Sequence, residues 1–493
     1  MTHVYKACSR LVSNFELFSD VKISSMRNVN FFDSKKNTDY KFDNRKWTQI
    51  YDYQKSSGNF VVDIDNNTYL DMFNNIATVP IGYNNPKLNN IIKNKLNNNE
   101  LLHLITQRYS LGIMPNKELP NIVNSIIDKI APKNCSFLHM GCGCGSGANE
   151  NAFKAAFLHK YAKEHGYDKL NSLEKIDSNK IFTDEQKKSC MIGLPPGMPD
   201  YKILSFKNGF HGRTLGCLSA TRTKWLHKVG IPGFKWPSVD FPNIKYPLED
   251  YLSHNVEQET NVLNNVDELL KKDDKIAAMI VEPILSEGGD LHASDKFYRD
   301  LREICYNNDV SFIVDEVQTG FGPTGKLWAH EHWNLEHSPD IVTFAKKAQI
   351  SGFFCNDKYL PLFPYMIFNT WMGDSLRSII LNNIIDIINQ DNLIENTRIT
   401  GNYLYSQLDI FQKNGLIKNL RGNKGTYIAF DPYDNYLSEF DGEDGQAQTL
   451  AKNLKENGVI VGLCGANSIR LRPSLILEKY HVDIFMNKLE KCF

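Results

Sequence analysis

Residues 312–320 read Phe-Ile-Val-Asp-Glu-Val-Gln-Thr-Gly. Three apolar residues ending on a carboxylate describe a buried strand that stops at Asp315. A carboxylate there is costly unless a cation or hydrogen-bond donors meet it, although a helix cap would also satisfy it. Downstream, Asp340-Ile341-Val342-Thr343-Phe344 repeats the pattern and runs into Ala345-Lys346-Lys347. Upstream, Cys135–Met140, Tyr201–Phe206 and Ile276–Val281 are short apolar runs of strand length, and Val310–Val314 leads into Asp315. Between them lie helical stripes. Phe153, Ala156, Phe157 and Tyr161 share one face over 150–165, and Ser294 is placed to cap a helix presenting Phe297, Leu301 and Ile304. Strands alternating with helices predict an α/β fold with a mostly parallel sheet covered on both faces. Active sites in such sheets lie at the carboxyl ends of the strands, where Asp315 and Lys346 fall.

The composition bounds the function. The chain has 493 residues, 42% of them hydrophobic and 11% aromatic, enough to bury a large core. Lys plus Arg number 56 and Asp plus Glu 57, so no basic face for nucleic acid dominates. No run of 18 uncharged apolar residues is present, so no membrane-spanning helix is expected. Cys217, Cys305 and Cys355 sit in apolar runs and read as buried thiols of a reducing compartment. The Asn-rich stretches 89–99 and 382–396 carry apolar residues at helical spacing and read as solvated helix faces. Residues 1–28 carry Lys6, Arg10, Lys22 and Arg27 against Glu16 and Asp20, with serines between them, a partial match to a mitochondrial presequence. The expected location is intracellular, the mitochondrial matrix favoured over the cytosol.

Residues 141–149 read Gly-Cys-Gly-Cys-Gly-Ser-Gly-Ala-Asn, directly after one strand and before one helix. Glycines let the backbone approach a ligand, and the free N–H groups of a helix start attract phosphate. The stretch matches neither the lysine-bearing nucleotide loop nor the dinucleotide fingerprint. A lysine at a strand end is a surface residue in most proteins, but near a buried acid it also suits a Schiff-base enzyme. An acid, a lysine and a phosphate cradle are together the parts that hold pyridoxal phosphate, the acid keeping the ring nitrogen protonated.

These stretches resemble the class III aminotransferases, and among them the 4-aminobutyrate aminotransferases of eukaryotes. The likeness runs from SGNFVVDIDNN (57–67) through IATVPIGY (76–83), ANENAFK (148–154), FHGRTLGCLSAT (210–221), IVEPILSEGG (280–289), VDEVQTGFGPTGKLWAHEHW (314–333), PDIVTFAKK (339–347) and IFNTW (367–371) to SIRLRP (468–473). It implies fold type I of the pyridoxal-phosphate enzymes, with a seven-stranded, mostly parallel sheet in a large domain. The implied division is 1–100 for the N-terminal segment and part of a small α+β domain, 101–371 for the large domain, and 372–493 for the rest of the small one. A homodimer with shared active sites is also implied, with no nucleic acid or membrane partner.

The resemblance assigns the Schiff base to Lys346, with Lys347 its competitor, and the pyridinium partner to Asp315. It assigns the phosphate turn to Gly145 and Ser146, with Asn149 nearby, and gives Thr370 to the phosphate of the partner subunit's site. Phe210 and Val317 would cover the two faces of the ring, unless they are ordinary core residues, and Gln318 would bond its hydroxyl. Arg213, Arg470 and Ile76 would meet substrate. Glu287 would neutralise Arg470 when the substrate has one carboxylate and withdraw when it has two. The implied reaction moves the amino group of 4-aminobutyrate to 2-oxoglutarate in two half-reactions. Another ω-amino acid donor (β-alanine, lysine or ornithine) is the neighbouring alternative, and a binding protein without turnover a more distant one. Animal members resemble this chain but hold an iron–sulfur cluster through Cys-x-x-Cys. Here Cys144 has Gly147 three residues on, so Cys142 and Cys144 are expected as free thiols and no metal is expected, a shared cluster being the alternative.

Overall fold

The computed structural model describes residues 49–107, 111–141, 143–167, 178–370, 372–433 and 445–493. Residues 1–28 and Cys142, on which two of the expectations fall, lie outside them.

The N-terminal strands β1 (Phe60–Val62) and β2 (Thr68–Asp71) form a hairpin. The central sheet is built from β3 (Phe137–Met140), β4 (Lys202–Phe206), β5 (Ser238–Val239), β6 (Ile276–Val281), β7 (Ser311–Asp315), β8 (Ile341–Phe344) and β9 (Gly352–Cys355). The seven strands stand in the order β3-β9-β8-β7-β6-β4-β5. Neighbours pair in parallel from β5 through β8, and β9 runs antiparallel to both β8 and β3. The mostly parallel sheet expected of the sequence is present, and its middle strands are buried on both faces.

Alternation along the strands explains the burial. Ile203, Ala278, Ile280, Ile313 and Ile341 pack with Ala152, Phe153, Ala155 and Ala156 of the helix Gly145–Glu164. The intervening Leu204, Met279, Val281, Phe312 and Val314 pack on the other side with Val262, Val266, Phe297 and Leu301. Those four belong to the helices Leu252–Lys272 and Asp295–Asn307. Successive residues of a strand point to opposite faces, so one apolar run serves both layers. Ser294 caps its helix as expected, accepting from Phe297 N at 3.0 Å.

The Asn-rich stretches divide. The helix Pro86–Asn97 has no fully buried residue, as a solvated element should. The stretch 382–396 is two helices, Ser375–Gln390 and Leu393–Lys413, broken where Asn392 takes a left-handed φ of 50°. Asn tolerates that conformation better than other side chains.

C-terminal residues supply β10 (Ile417–Arg421), β11 (Ile428–Pro432), β12 (Val459–Ile460), β13 (Gly462–Cys464) and β14 (Ser468–Leu471). The order β10-β11-β14-β13 makes an antiparallel sheet, while β12 joins β2 in parallel. Phe60, Leu70 and Met72 thereby share a core with Leu404, Phe430, Leu454 and Phe485. This second layered unit carries Arg470 and Arg472 on β14 and its continuation toward the end of the central sheet.

Candidate active site

A cavity of about 800 Å³ opens at the carboxyl ends of β7 and β8 and is lined by Gly145, Ser146, Phe210, Asp315, Val317 and Lys346, among others. Asp315 is the last residue of β7 and is only 4% exposed. Its Oδ2 accepts from Asn149 Nδ2 at 2.8 Å and from His211 Nδ1 at 2.9 Å, and its Oδ1 accepts from Val317 N at 3.1 Å. Three donors meet the desolvation that the sequence pattern posed as a problem. With two of them on Oδ2, it is Oδ1 that keeps room for a further partner.

Lys346 follows β8 and Ala345, in a left-handed backbone conformation with φ 49°. Non-glycine residues adopt this at a cost and concentrate at functional sites when they do. Burial, reinforced by the Arg470 charge and partly offset by Glu282, brings its ammonium down to about 8. A neutral amine is therefore within reach near physiological pH. Lys347 points elsewhere: its Nζ donates to the carbonyl of Gln318, and it is not among the cavity's lining residues. Of the two competing lysines, only Lys346 faces the cavity.

The helix Gly145–Glu164 starts at the cavity wall, its first residue packed under Val317. A Cβ on Gly145 would lie 2.7 Å from Val317 Cγ1, so glycine is the residue that lets this turn close. A Cβ on Gly212 would likewise fall 2.2 Å from Ser146 Oγ. The first N–H groups of the helix and the Ser146 hydroxyl thus form an open, positively polarised pocket suited to an anion. Asn149, expected near the phosphate turn, has both amide hydrogens committed elsewhere, one to Asp315 and one to the His211 carbonyl at 2.8 Å. It serves the acid and not the anion pocket.

Gln318 accepts at Oε1 from Tyr427 OH and from Arg472 Nε, each at 2.9 Å, which leaves its amide Nε2 to face the cavity. Phe210 also lines it, held through its backbone N–H by Glu282 Oε1 at 2.8 Å. Burial, with the Asp315 charge, raises the Glu282 carboxyl well above the ordinary range.

Beside the cavity, Arg470 is 5% exposed and donates from Nη2 to Glu287 Oε2 at 2.9 Å. Its Nε has no partner among the described residues, and its guanidinium lies 5.2 Å from the Phe73 ring centre. Glu287 Oε1 accepts from Lys224 Nζ at 2.8 Å. Burial alone would raise the Glu287 carboxyl, but Arg470 and Lys224 outweigh it and hold it below the usual value. Arg472 is closed off instead, paired with Asp290 and stacked over Tyr427.

Arg213, Ile76 and Thr370, like Arg470 and Glu287, are not among the cavity's lining residues. Arg213 is exposed, its Nη2 donating to His227 Nε2 at 3.0 Å while its backbone N–H reaches Ser146 Oγ at 3.3 Å. Ile76 is 52% exposed, in a left-handed turn spanning 74–77, and Thr370 is exposed as well. Cys144 is a free, exposed thiol at the start of the anion-pocket helix. Among the described residues no group of three or more His, Cys, Asp or Glu side chains is arranged to hold a metal.

His211, Glu282 and Lys224 were not singled out in the sequence. His211 lies between Phe210 and Arg213, but a histidine inside a motif gives no sign of its partner 104 residues away. Lys224 is an exposed lysine joined to Glu287 across 63 residues and carries no local signal.

The family model for class III aminotransferases matches residues 42–493. The chain belongs to the class III aminotransferases. A 4-aminobutyrate aminotransferase of Emericella nidulans is 44% identical over 91% of this chain and 86% of its own length. One from Dictyostelium discoideum is 43% identical over 89% and 84%, and a mitochondrial one from Rattus norvegicus is 40% identical over 88% and 83%. Among solved structures, the lysine aminotransferase of M. tuberculosis in its internal aldimine form superposes on this aminotransferase with a TM-score of 0.75. It is 26% identical, over 90% of this chain and 94% of the other.

Proposed function

We propose that this aminotransferase uses pyridoxal phosphate to move the amino group of 4-aminobutyrate to 2-oxoglutarate, giving succinate semialdehyde and glutamate. The side chains fit the cofactor on their own chemistry. Lys346 supplies an amine of lowered basicity, Asp315 an ionisable oxygen with spare capacity, and the helix start at Gly145–Ser146 an anion pocket. Gln318 offers an amide donor, and Phe210 and Val317 offer apolar cover. When bound, the cofactor supplies an aldehyde carbon that takes up the amine and a pyridine ring that accepts the electron pair released beside it.

The protein's own groups do the rest. Asp315 holds the proton on the ring nitrogen. Lys346 Nζ takes the proton from C4 of 4-aminobutyrate in one half-reaction and from Cα of glutamate in the reverse of the other. The Arg470–Glu287 pair is the observation that carries the substrate assignment. Both half-reactions share one pocket, but 4-aminobutyrate brings one carboxylate and glutamate two. Arg213 takes the distal carboxylate of each, through the two-pronged geometry a guanidinium offers. Arg470 takes the α-carboxylate of glutamate after Glu287 lets go, and stays paired with Glu287 when 4-aminobutyrate is bound. Lys224 gives the displaced Glu287 a second cation to rest on.

The protein acts as a homodimer in the mitochondrial matrix, with Thr370 reaching the phosphate in the partner's site and Ile76 covering substrate. The mitochondrial relative from Rattus norvegicus supports that location. The likeness to a lysine aminotransferase favours, as a second reading, a longer ω-amino acid donor in the same pocket. The test is to add 4-aminobutyrate and then 2-oxoglutarate to the purified protein while recording its visible spectrum. The bound cofactor's absorption should change on the first addition and return on the second. A change with lysine, ornithine or β-alanine but not with 4-aminobutyrate would move the assignment to that donor.

A further inference from the structure

We propose that His211 is a positioning residue for the cofactor, acting through Asp315. The inference rests on the pyridoxal-phosphate reading and adds to it the group that aims the acid. His211 is 3% exposed, and its Nδ1 lies 2.9 Å from Asp315 Oδ2. A carboxylate oxygen only accepts, so Nδ1 carries the hydrogen and the tautomer on this side is set by the acid. The ring is held by its own backbone: His211 N donates to Thr221 Oγ1 at 2.9 Å, and its carbonyl accepts from Asn149 Nδ2 at 2.8 Å. Asn149 then spends its other amide hydrogen on the same Asp315 oxygen.

The arrangement is asymmetric. Oδ2 is occupied by two side-chain donors, Asn149 from the helix Gly145–Glu164 and His211 from the loop after β4, whereas Oδ1 has a single backbone donor, Val317 N at 3.1 Å. Two donors converging on one oxygen fix the rotation of the carboxylate about its last bond. They leave Oδ1 as the oxygen that turns to the ring nitrogen. Asn149 alone cannot supply both donors, because its two hydrogens are divided between Asp315 and the His211 carbonyl. Without His211, Asp315 keeps a single side-chain donor and can rotate. The cofactor's phosphate and ring cover do not involve this contact, so cofactor binding should survive where ring protonation does not.

The readout is the ring nitrogen itself. Pyridoxal phosphate labelled with nitrogen-15 in the ring, bound to the intact protein, reports protonation through its nitrogen chemical shift. In the unaltered protein the shift should be that of a protonated ring. His211→Phe keeps an aromatic ring but no donor. It should retain the cofactor through dialysis, move the shift toward the unprotonated value, and lose turnover about 10- to 100-fold, the scale of one hydrogen bond to a charged group. His211→Asn, whose amide sits where Nδ1 does, should restore most of both signals, while His211→Gln, whose amide is displaced outward, should not. Should His211→Phe fail to fold, the Asn and Gln pair still decides the matter. A protonated shift and unchanged turnover in His211→Phe, or Gln rescuing where Asn does not, overturns the proposal while the cofactor assignment stands. An unaltered protein that does not retain the labelled cofactor contradicts the cofactor assignment instead.

Discussion

On the floor of the cavity Asp315 is gripped by Asn149, His211 and Val317, while beside it Glu287 divides its two oxygens between Arg470 and Lys224. The floor's donors are two buried side chains, one from a helix and one from a loop, and a backbone N–H, and together they hold one geometry. The partners of Glu287 are full charges on side chains of different exposure, and Arg470 keeps an unused Nε. The two arginines of β14 and its extension repeat the contrast. Arg472 is held by Asp290, Gln318 and a backbone carbonyl, whereas Arg470 has one carboxylate partner, a long contact to the Ser286 carbonyl at 3.4 Å, an aromatic face and an unpartnered Nε. A cofactor that stays needs the first kind of site. Two substrates differing by one carboxylate need the second.

The floor should be the less forgiving of the two. Lys346→Ala should lower turnover by at least about 10,000-fold, since it removes both the covalent anchor and a general base worth about 100- to 10,000-fold alone. Lys347→Ala should keep much of the activity, and borohydride reduction followed by peptide mapping would reveal the opposite register by placing the pyridoxyl group on Lys347. Asp315→Asn should cost roughly 100- to 1,000-fold in steady-state rate while leaving cofactor bound, because a preorganised charge is lost and the anion pocket is not. Near-normal turnover would make Asp315 structural.

The arginines sharpen the contrast in stability. Arg472→Ala leaves Asp290 buried without its cation and should cost about 3–5 kcal/mol in denaturant unfolding. Arg470→Ala leaves Glu287 with Lys224 and should cost markedly less. A smaller effect concerns pH. The Lys346 amine is brought down to about 8, so its nucleophilic neutral form accumulates above that value and not near the ordinary lysine range. The rate at which the cofactor-free protein takes up pyridoxal phosphate should therefore rise with pH through a midpoint near 8. A rise only toward the ordinary range of an exposed lysine would mean that Lys346 is not desolvated.

Much of this was legible before any coordinate. Apolar runs of strand length ending at Asp315 and near Lys346 predict the parallel sheet, because a strand buried on both faces must be continuously apolar. The glycine-rich stretch before the helix at 145 is local, although its reason, the close approach of Val317 from the far side of β7, is not. What the sequence withholds is long-range pairing. Nothing near His211 points to Asp315, and nothing near Lys224 points to Glu287, because both contacts form only when the carboxyl ends of different strands and the loops after them are brought together. The resemblance puts Asn149 near the phosphate turn, and the structure has its amide donating to the acid. The antiparallel direction of β9 has no local signature either, since Gly352–Cys355 is apolar in the manner of its parallel neighbours.

The central claim is that Arg470 is shared in turn by Glu287 and by a substrate carboxylate, and stopped-flow measurement of the two half-reactions in Glu287→Ala tests it most directly. With 4-aminobutyrate bound, the variant leaves Arg470 desolvated and unpaired, and breaking such a pair typically costs about 2–5 kcal/mol. Even about 2 kcal/mol slows that half-reaction by roughly 30-fold. With glutamate bound, the substrate's α-carboxylate takes the place of Glu287, so that half-reaction should keep its rate within a few-fold. Equal losses in both half-reactions would contradict the account and leave Glu287 a structural carboxylate.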